Sequence, residues 1–301
     1  MAYTILGVGE LLWDMLPAGP QLGGAPANYS VMAGRLGNHA YVLSRIGCDE
    51  LGDKAIDVLK PYPVDCGLLQ SDSTQPTGRV TVELNDGQPS YTIHEPVAWD
   101  FLEAEPGWLA VAASADAVCF GSLAQRSKQS LRTIHAMVKA TRPACQRIFD
   151  VNLRAPFYTG EIVRESLGLA SVMKMNDAEV PQVLDLLALP AAASLREGAD
   201  RLLEAFPQLS LVAITRGGEG SLLVGRSEWH EHAGVPVRVA DTIGAGDAFT
   251  AAMTHYLLRG APLATLNEAG NRWGSFVASQ QGAMPEIGPE TLQRITREIE
   301  G

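Results

Sequence analysis

The densest chemistry in the chain lies in Asp241-Thr242-Ile243-Gly244-Ala245-Gly246-Asp247-Ala248-Phe249, followed at once by a helical pattern. Small residues at a helix start leave several backbone N–H groups facing outward with no side chain in the way. Those unpaired amides, together with the helix dipole, make a site for an anion. Asp247 stands in the same turn, where a carboxylate can take a proton from a group held beside the anion. An anion cradle with a carboxylate at its mouth suits phosphoryl transfer to a hydroxyl, in which positioning and charge stabilisation supply most of the rate. The same residues would also serve as a Gly-rich turn with Asp247 as a helix cap.

A second constellation is Gly23-Gly24-Ala25-Pro26-Ala27-Asn28, ahead of a helical run from Tyr29 to Leu36 that Gly37 ends. Pro near the first helical position and Gly just past the end are the expected punctuation. The paired glycines let a ligand approach the backbone, and Asn28 presents a donor and an acceptor. Other signals are weak. Gly7-Val8-Gly9 begins a dinucleotide pattern, but Leu12 stands where the third glycine should fall. There is no Gly-Lys dipeptide, so a P-loop is excluded and phosphate binding must rest on the Gly244–Gly246 amides. His230-Glu231-His232 reads as a polar loop or strand rather than a metal site.

These residues need a scaffold, and 301 residues allow one large α/β domain. Composition is that of a globular chain, 46% hydrophobic and 19% charged. A net charge of −11, from 23 basic and 34 acidic residues, argues against a nucleic-acid partner but not against a local site for ATP. Four dispersed cysteines with no zinc spacing read as reduced thiols. The apolar start is interrupted by Glu10 and Asp14 and has no cationic leader, so neither a signal peptide nor a membrane span is expected, and the expected location is cytoplasmic.

Apolar runs at Tyr3 to Val8, His39 to Ile46, Ala117 to Phe120, Arg147 to Val151, Ser171 to Met175 and Leu211 to Thr215 read as buried strands. Helical patterns lie between them at Glu50 to Lys60, Ser127 to Thr141, Asp177 to Leu187 and Leu195 to Phe206. The alternation predicts a doubly wound, mostly parallel sheet flanked by helices, with a nearly all-helical end from Ala245. Arg79 to Leu84 and Ser90 to Ile93 flank Asn85-Asp86-Gly87, a hairpin signal. A hairpin inserted in such a series projects from the main sheet. We therefore expect a single domain over 1–301 in which this hairpin is either a surface decoration or a cover that keeps water from the site.

Together the motifs resemble the PfkB family of ribokinase-like sugar kinases along essentially the whole chain. The resemblance rests on Gly9-Glu10 through Asp14, Gly-Gly-Ala-Pro-Ala-Asn, Arg45-Ile46-Gly47 with Leu51-Gly52, and Asp150 to Arg154. It continues through Lys174 to Glu179, Thr215 to Gly220, Asp241 to Phe249 and Gln281-Gly282-Ala283. It implies an ATP-dependent sugar kinase in which Asp247 is the base and Gly244, Ala245 and Gly246 hold the transferred phosphoryl group. Asp14, Gly24, Asn28 and Arg154 would then bind the sugar. By their types alone, Asp14 also fits a helix cap or exposed turn, and Arg154 an internal salt bridge. Lys174, Asn176, Thr215, Gly217, Gly220 and Asn271 would serve the nucleotide, although Arg216 departs from the family's usual apolar residue. Glu179 would hold Mg²⁺ through water, while Asn176 and Glu179 equally fit a helix capping box. Asp241, the Ile243 backbone and Gly282 match a monovalent-cation site for K⁺. The resemblance also implies a small β lid over the sugar, from about 11–20 and 75–98, and a homodimer through that lid. Ala25, where ribokinases carry Lys, and the Glu95 to Asp100 segment look fructokinase-like, so fructose is the expected substrate. 2-Keto-3-deoxygluconate kinase and ribokinase are the alternatives. A silent sugar-binding regulator and a nicotinamide-dependent oxidoreductase are the rivals of other classes.

Overall fold

The computed structural model describes residues 2–17, 19–85 and 88–301. The first apolar run forms β1 (Thr4–Val8), and β2 (Leu12–Leu16) and β3 (Gly19–Gly23) follow as an antiparallel pair. α1 (Ala25–Arg35) has Pro in its first turn and stops at Gly37, whose φ of 84° suits a residue just past a helix end. The run from His39 to Ile46 is not one strand. It divides at Ser44 into β4 (His39–Leu43) and β5 (Arg45–Gly47), which join different sheets. α2 (Glu50–Leu59) is capped by Asp49, whose carboxylate accepts the Gly52 amide at 2.8 Å. Short strands β6 (Val64–Asp65) and β7 (Gln70–Asp72) lead to β8 (Gly78–Asn85) and β9 (Gln88–Ile93), which pair antiparallel with Asn85 opposite Gln88. The Asp86-Gly87 part of the expected turn lies outside the described residues.

Helix and strand then alternate through α3 (Pro106–Ser114), β10 (Ala117–Gly121), α4 (Lys128–Ala140), β11 (Gln146–Asp150) and α5 (Gly160–Leu169). Next come β12 (Val172–Asn176), α6 (Glu179–Leu186), α7 (Leu195–Ala205) and β13 (Leu211–Thr215). β14 (Ser221–Gly225) and β15 (Trp229–His232) turn back antiparallel, so the His-Glu-His stretch is a strand. The helical end is α8 (Ala245–Leu258), α9 (Leu263–Ala278) and α10 (Pro289–Glu300).

Nine strands form the main sheet in the order β15-β14-β13-β12-β11-β10-β1-β4-β6. All its pairings from β6 to β13 are parallel. Period-two alternation splits each strand between the two faces. Ile5, Cys119 and Ile148 join a core with α8, α9 and α10, while Leu6, Phe120 and Phe149 join the core under α4, α5 and α7. Strand order reverses direction at β1, the point where open α/β sheets bind ligands beyond the strands' carboxyl ends. A second sheet, β3-β2-β8-β9, stands off the first, and Trp13 of β2 anchors it by donating from Nε1 to the Leu51 carbonyl at 2.9 Å. Among the described residues, no helix is long and apolar enough to cross a membrane.

Close backbone approach sets the tilt of α1. A Cβ on Gly34 would overlap the Pro63 carbonyl oxygen, and that backbone has no free rotamer to yield. Gly34→Ala is therefore expected to destabilise the fold by about 1–3 kcal/mol, the range for overpacking, despite Ala's better helix propensity. A lowered urea midpoint with an unchanged slope would register it, and an unchanged midpoint would contradict it.

Candidate active site

The expected anion cradle is built by one left-handed glycine and one close contact. Gly244 caps α8 at a φ of 76°, a left-handed conformation natural to glycine. A Cβ there would meet Ala283 at 2.7 Å, so the turn packs directly on the segment after α9. The amides of Gly244, Ala245 and Gly246 begin the helix from this turn, with Asp247 in the first turn beside them.

Asp247 is held across the site by Asn28, whose Nδ2 donates to Oδ2 at 2.8 Å. The Asn28 Oδ1 is buried and has no hydrogen-bond partner among the described residues, which leaves an acceptor for a hydroxyl. Burial pushes the Asp247 carboxyl up to about 6, and the charge of Asp150 adds to this. The Asn28 bond, Lys174 and Arg154 pull the other way. Such a group is ionised near neutrality yet basic enough to receive a proton.

Beneath the turn lies a buried ion pair. Lys174 of β12 donates from Nζ to Asp150 Oδ1 of β11 at 3.1 Å, and Thr250 of α8 donates to Asp150 Oδ2 at 3.1 Å. Thr250 also approaches the Gly246 carbonyl at 2.9 Å. Burial would lower the Lys174 pKa, but the charges of Asp150, Asp247 and Glu179 outweigh it and the net direction is up. A Cβ on Gly246 would sit 3.0 Å from Nζ, so the ammonium lies directly against the cradle.

The remaining expected residues fall into clear groups. Gly24 cannot carry a side chain, because its φ is 111° and a Cβ would overlap the Glu10 carbonyl oxygen. Asp14 is neither a turn residue nor a helix cap. It lies within β2, opposite Gln21, and burial raises its carboxyl to about 6 against the pull of Arg154. Arg154 is exposed and, among the described residues, makes no salt bridge. The one hydrogen bond of its side chain among those residues is to the Leu153 carbonyl at 3.4 Å. Asn176 and Glu179 do form the capping box: Glu179 Oε2 accepts the Asn176 amide at 2.8 Å and Asn176 Oδ1 accepts the Glu179 amide at 2.9 Å. Glu179 Oε1 takes the Leu153 amide at 2.8 Å, so the carboxylate ties α6 to the Arg154 loop and keeps one lone pair per oxygen for water.

Asp241 likewise bridges two segments, accepting the Ile243 amide at 3.0 Å and the Gly282 amide at 3.1 Å. Thr215 ends β13, and Gly217 and Gly220 hold the following turn at φ values of 56° and 84°. Arg216 faces away into strand β15, paired with Glu231 and the His232 carbonyl. Asn271 is apart from the rest: it is buried and its Nδ2 is used by Ser221 Oγ at 2.6 Å and the Asn267 carbonyl at 2.8 Å.

Three residues of the site were given no role by the sequence reading, although Glu10 and Asp150 stand in motifs it quotes. Asp150 and Thr250 form the platform under the cradle, and Glu10 lies buried beside Asp247, its Oε2 unpaired among the described residues and its carboxyl pushed up to about 7 by burial. A carboxylate at a strand's carboxyl end was the available signal for Asp150. The raised carboxyls of Glu10 and Asp247 make stability depend on pH. Asp247 ionises near 3.8 in an unfolded chain but near 6 in the fold, so its charge penalises the folded state above about pH 6 and not below about pH 4. Asp247→Asn is expected to raise Tm by a few degrees at pH 8, with the gain gone by pH 4. A gain equal at both pH values would contradict this account.

Comparison with known proteins follows the same lines. Residues 20–288 match the pfkB family carbohydrate kinase description. A fructokinase of Escherichia coli is 28% identical over 95% of this chain and 97% of its own. The structure of an uncharacterized sugar kinase from Pyrococcus horikoshii superposes with a TM-score of 0.84 at 27% identity, covering 99% of this chain and 100% of that one. Fructokinase from Vibrio cholerae O395, solved with fructose, ADP and calcium, gives a TM-score of 0.82 at 25% identity over 98% and 99% of the two chains. With its ribokinase-like sheet, its glycine cradle and this match along nearly its whole length, the chain belongs to the pfkB family of carbohydrate kinases.

Proposed function

We propose that the protein is an ATP-dependent fructokinase, transferring the γ-phosphoryl group of ATP to a fructose hydroxyl. The observation that carries this reading is Asp247 in the first turn of α8, held at 2.8 Å by Asn28 beside the Gly244–Gly246 amides. Asp247 takes the proton from the attacking hydroxyl. The cradle amides and Lys174 face the charge that spreads over the transferred group, and a helix start does this without reorganising. Asp14 and the free Asn28 Oδ1 accept sugar hydroxyls, while the second sheet closes as a lid and keeps water from competing. Mg²⁺, when bound, neutralises the nucleotide phosphates, and Glu179 is fixed by its amide bonds to hold that ion's water. A K⁺ site at the Asp241 loop, a cytoplasmic location and a homodimer joined through the lid belong to the same proposal.

The neutral ketohexose is favoured because Ala25 offers no charge and because similar chains carry the name fructokinase. The exposed Arg154, free of any salt bridge to the described residues, favours a carboxylated sugar as the second reading. A site that hydrogen-bonds a hydroxyl rejects analogues lacking it, because its own group is then left unpaired. In a coupled ATP assay, fructose is expected to give the highest kcat/KM of a panel with ribose, adenosine and 2-keto-3-deoxygluconate. Asp14→Ala should raise the sugar KM far more than the ATP KM. A panel led by 2-keto-3-deoxygluconate, with that lead lost in Arg154→Ala, would replace fructose by the sugar acid. No turnover with any sugar would leave a silent binder.

Two kinetic outcomes follow from the carboxylates. Asp247→Asn is expected to fold and to lose about 10²–10⁴-fold in kcat, the contribution of a general base. In the wild type, kcat/KM should fall about tenfold per pH unit below about 6, where Asp247 becomes protonated. A flat profile from pH 7 to 4 would remove Asp247 as the base. Rates in K⁺, Na⁺ and a large organic cation at one ionic strength test the Asp241 loop, and K⁺ should lead. Identical rates would remove the cation site.

A further inference from the structure

Arg126 closes the short 3₁₀ turn Leu123–Arg126 after β10, and its side chain is only 4% exposed. Its guanidinium grips Asp100 with two bonds, Nε to Oδ1 at 2.7 Å and Nη2 to Oδ2 at 2.8 Å. The same Nη2 donates to the His94 carbonyl at 2.7 Å, one residue beyond β9. His94 in turn bonds Thr81 of β8 through Nε2 at 2.7 Å, so the contact reaches both strands of the second sheet's hairpin. The flat faces of the guanidinium are also occupied. Cζ lies 3.9 Å from the Trp99 ring centre and 4.7 Å from that of Phe157. Phe157 belongs to the Arg154 loop and donates its amide to the Arg154 carbonyl at 2.7 Å.

One cation therefore touches the foot of the second sheet, the Asp100 turn and the loop bearing Arg154. Packing alone would not select it, since an apolar side chain would fill the volume without leaving charge to be compensated. A two-pronged Arg–carboxylate pair is demanding in angle as well as distance, so it transmits the position of one element to the other. The joint also has room on one side. A cavity of about 260 Å³ adjoins it, lined by Glu95, Pro96, Asp100, Phe101, Arg126 and Ser127. Buried Nη1 has no partner among the described residues, and Glu95 Oε2 stands 4.0 Å from Nε at the rim.

We propose that Arg126 is a positioning residue that couples the second sheet to the Arg154 loop, so that closing the sheet and placing Arg154 on the sugar are one movement. The proposal rests on the kinase reading above, in which that sheet is the lid. Its test is made on the full-length protein with two variants. Arg126→Met combined with Asp100→Asn removes both charges, so that neither is left buried alone. Phe157→Leu breaks only the contact to the loop and leaves the ion pair in place.

In hydrogen exchange without ligands, the double variant should lose protection together at residues 92–95 and 154–158, by roughly tenfold or more, with the first turn of α8 unchanged. Phe157→Leu should change 154–158 and, less strongly, 92–95. With the sugar the wild type uses best, both variants should raise the sugar KM by about tenfold while the ATP KM stays within about twofold, and more ATP should be hydrolysed per sugar phosphorylated. Exchange that rises in one segment only, or everywhere at once, would overturn the coupling, as would equal changes in the two KM values. If the double variant does not fold, Phe157→Leu decides by the same criteria. If the wild type phosphorylates no sugar, the kinase reading falls and the exchange data alone decide the coupling.

Discussion

Lys174 and Asp150 bury opposite charges under the first turn of α8, and the geometry above them follows from the need to keep both paired. Asp150 ends β11 and Lys174 stands opposite it in the middle of parallel β12, and Thr250 adds a bond from the helix itself. Removing one member of such a pair costs about 3–5 kcal/mol, because the other charge is left in a poor dielectric. That constraint locks β11, β12 and α8 to one another, and so fixes where the cradle amides point. The pair also sets the field at Asp247: Asp150 raises its carboxyl pKa and Lys174 lowers it. Support and tuning are thus two effects of the same two side chains.

The parallel sheet gathers the rest without special devices. Glu10 follows β1, the Asn152–Arg154 stretch follows β11, and Asn176 ends β12, all at one edge. α1 and α8 both begin at that edge and pack against each other, which brings Asn28 to Asp247 across 219 residues of sequence. Capping bonds do the local work. Glu179 and Asp241 each spend both oxygens on backbone amides from two separate segments, so they shape loops whatever else they bind.

Much of this was legible before any coordinates. α8 runs from Ala245 to Leu258 as its pattern indicates, because a glycine turn, a small-residue start and an unbroken apolar helix agree with one another. The alternating strands were legible for the same reason. α3 was not, since PGWLAVAAS is apolar on nearly every side and has no period to read. The split at Ser44 was hidden because β4 and β5 form one apolar run and only tertiary pairing divides them. At the candidate site, the glycines and Asp247 declare themselves by local spacing. Asp150 to Thr250, and Arg126 to Asp100 with Phe157, are meetings of distant segments, and no local pattern encodes them. Asn271 shows the converse, since a motif position can be absorbed by an internal polar network with Ser221 and Asn267.

From Ala248 to Tyr256, α8 is buried without a break, between α1, α9 and the main sheet. Only its opening turn meets the site, so almost every change along the helix is felt first as a packing fault. The second sheet is different, with half-buried Asp14 and Gln21 on strands attached to the body through a few anchors such as Trp13. The molecule therefore divides its mutational freedom unevenly, with the Asp247 turn on an element that can scarcely vary and Asp14 on one that can. On the function proposed above, an attempt to retarget this protein to a different acceptor belongs in the second sheet, where a new side chain is free of the packing that confines α8.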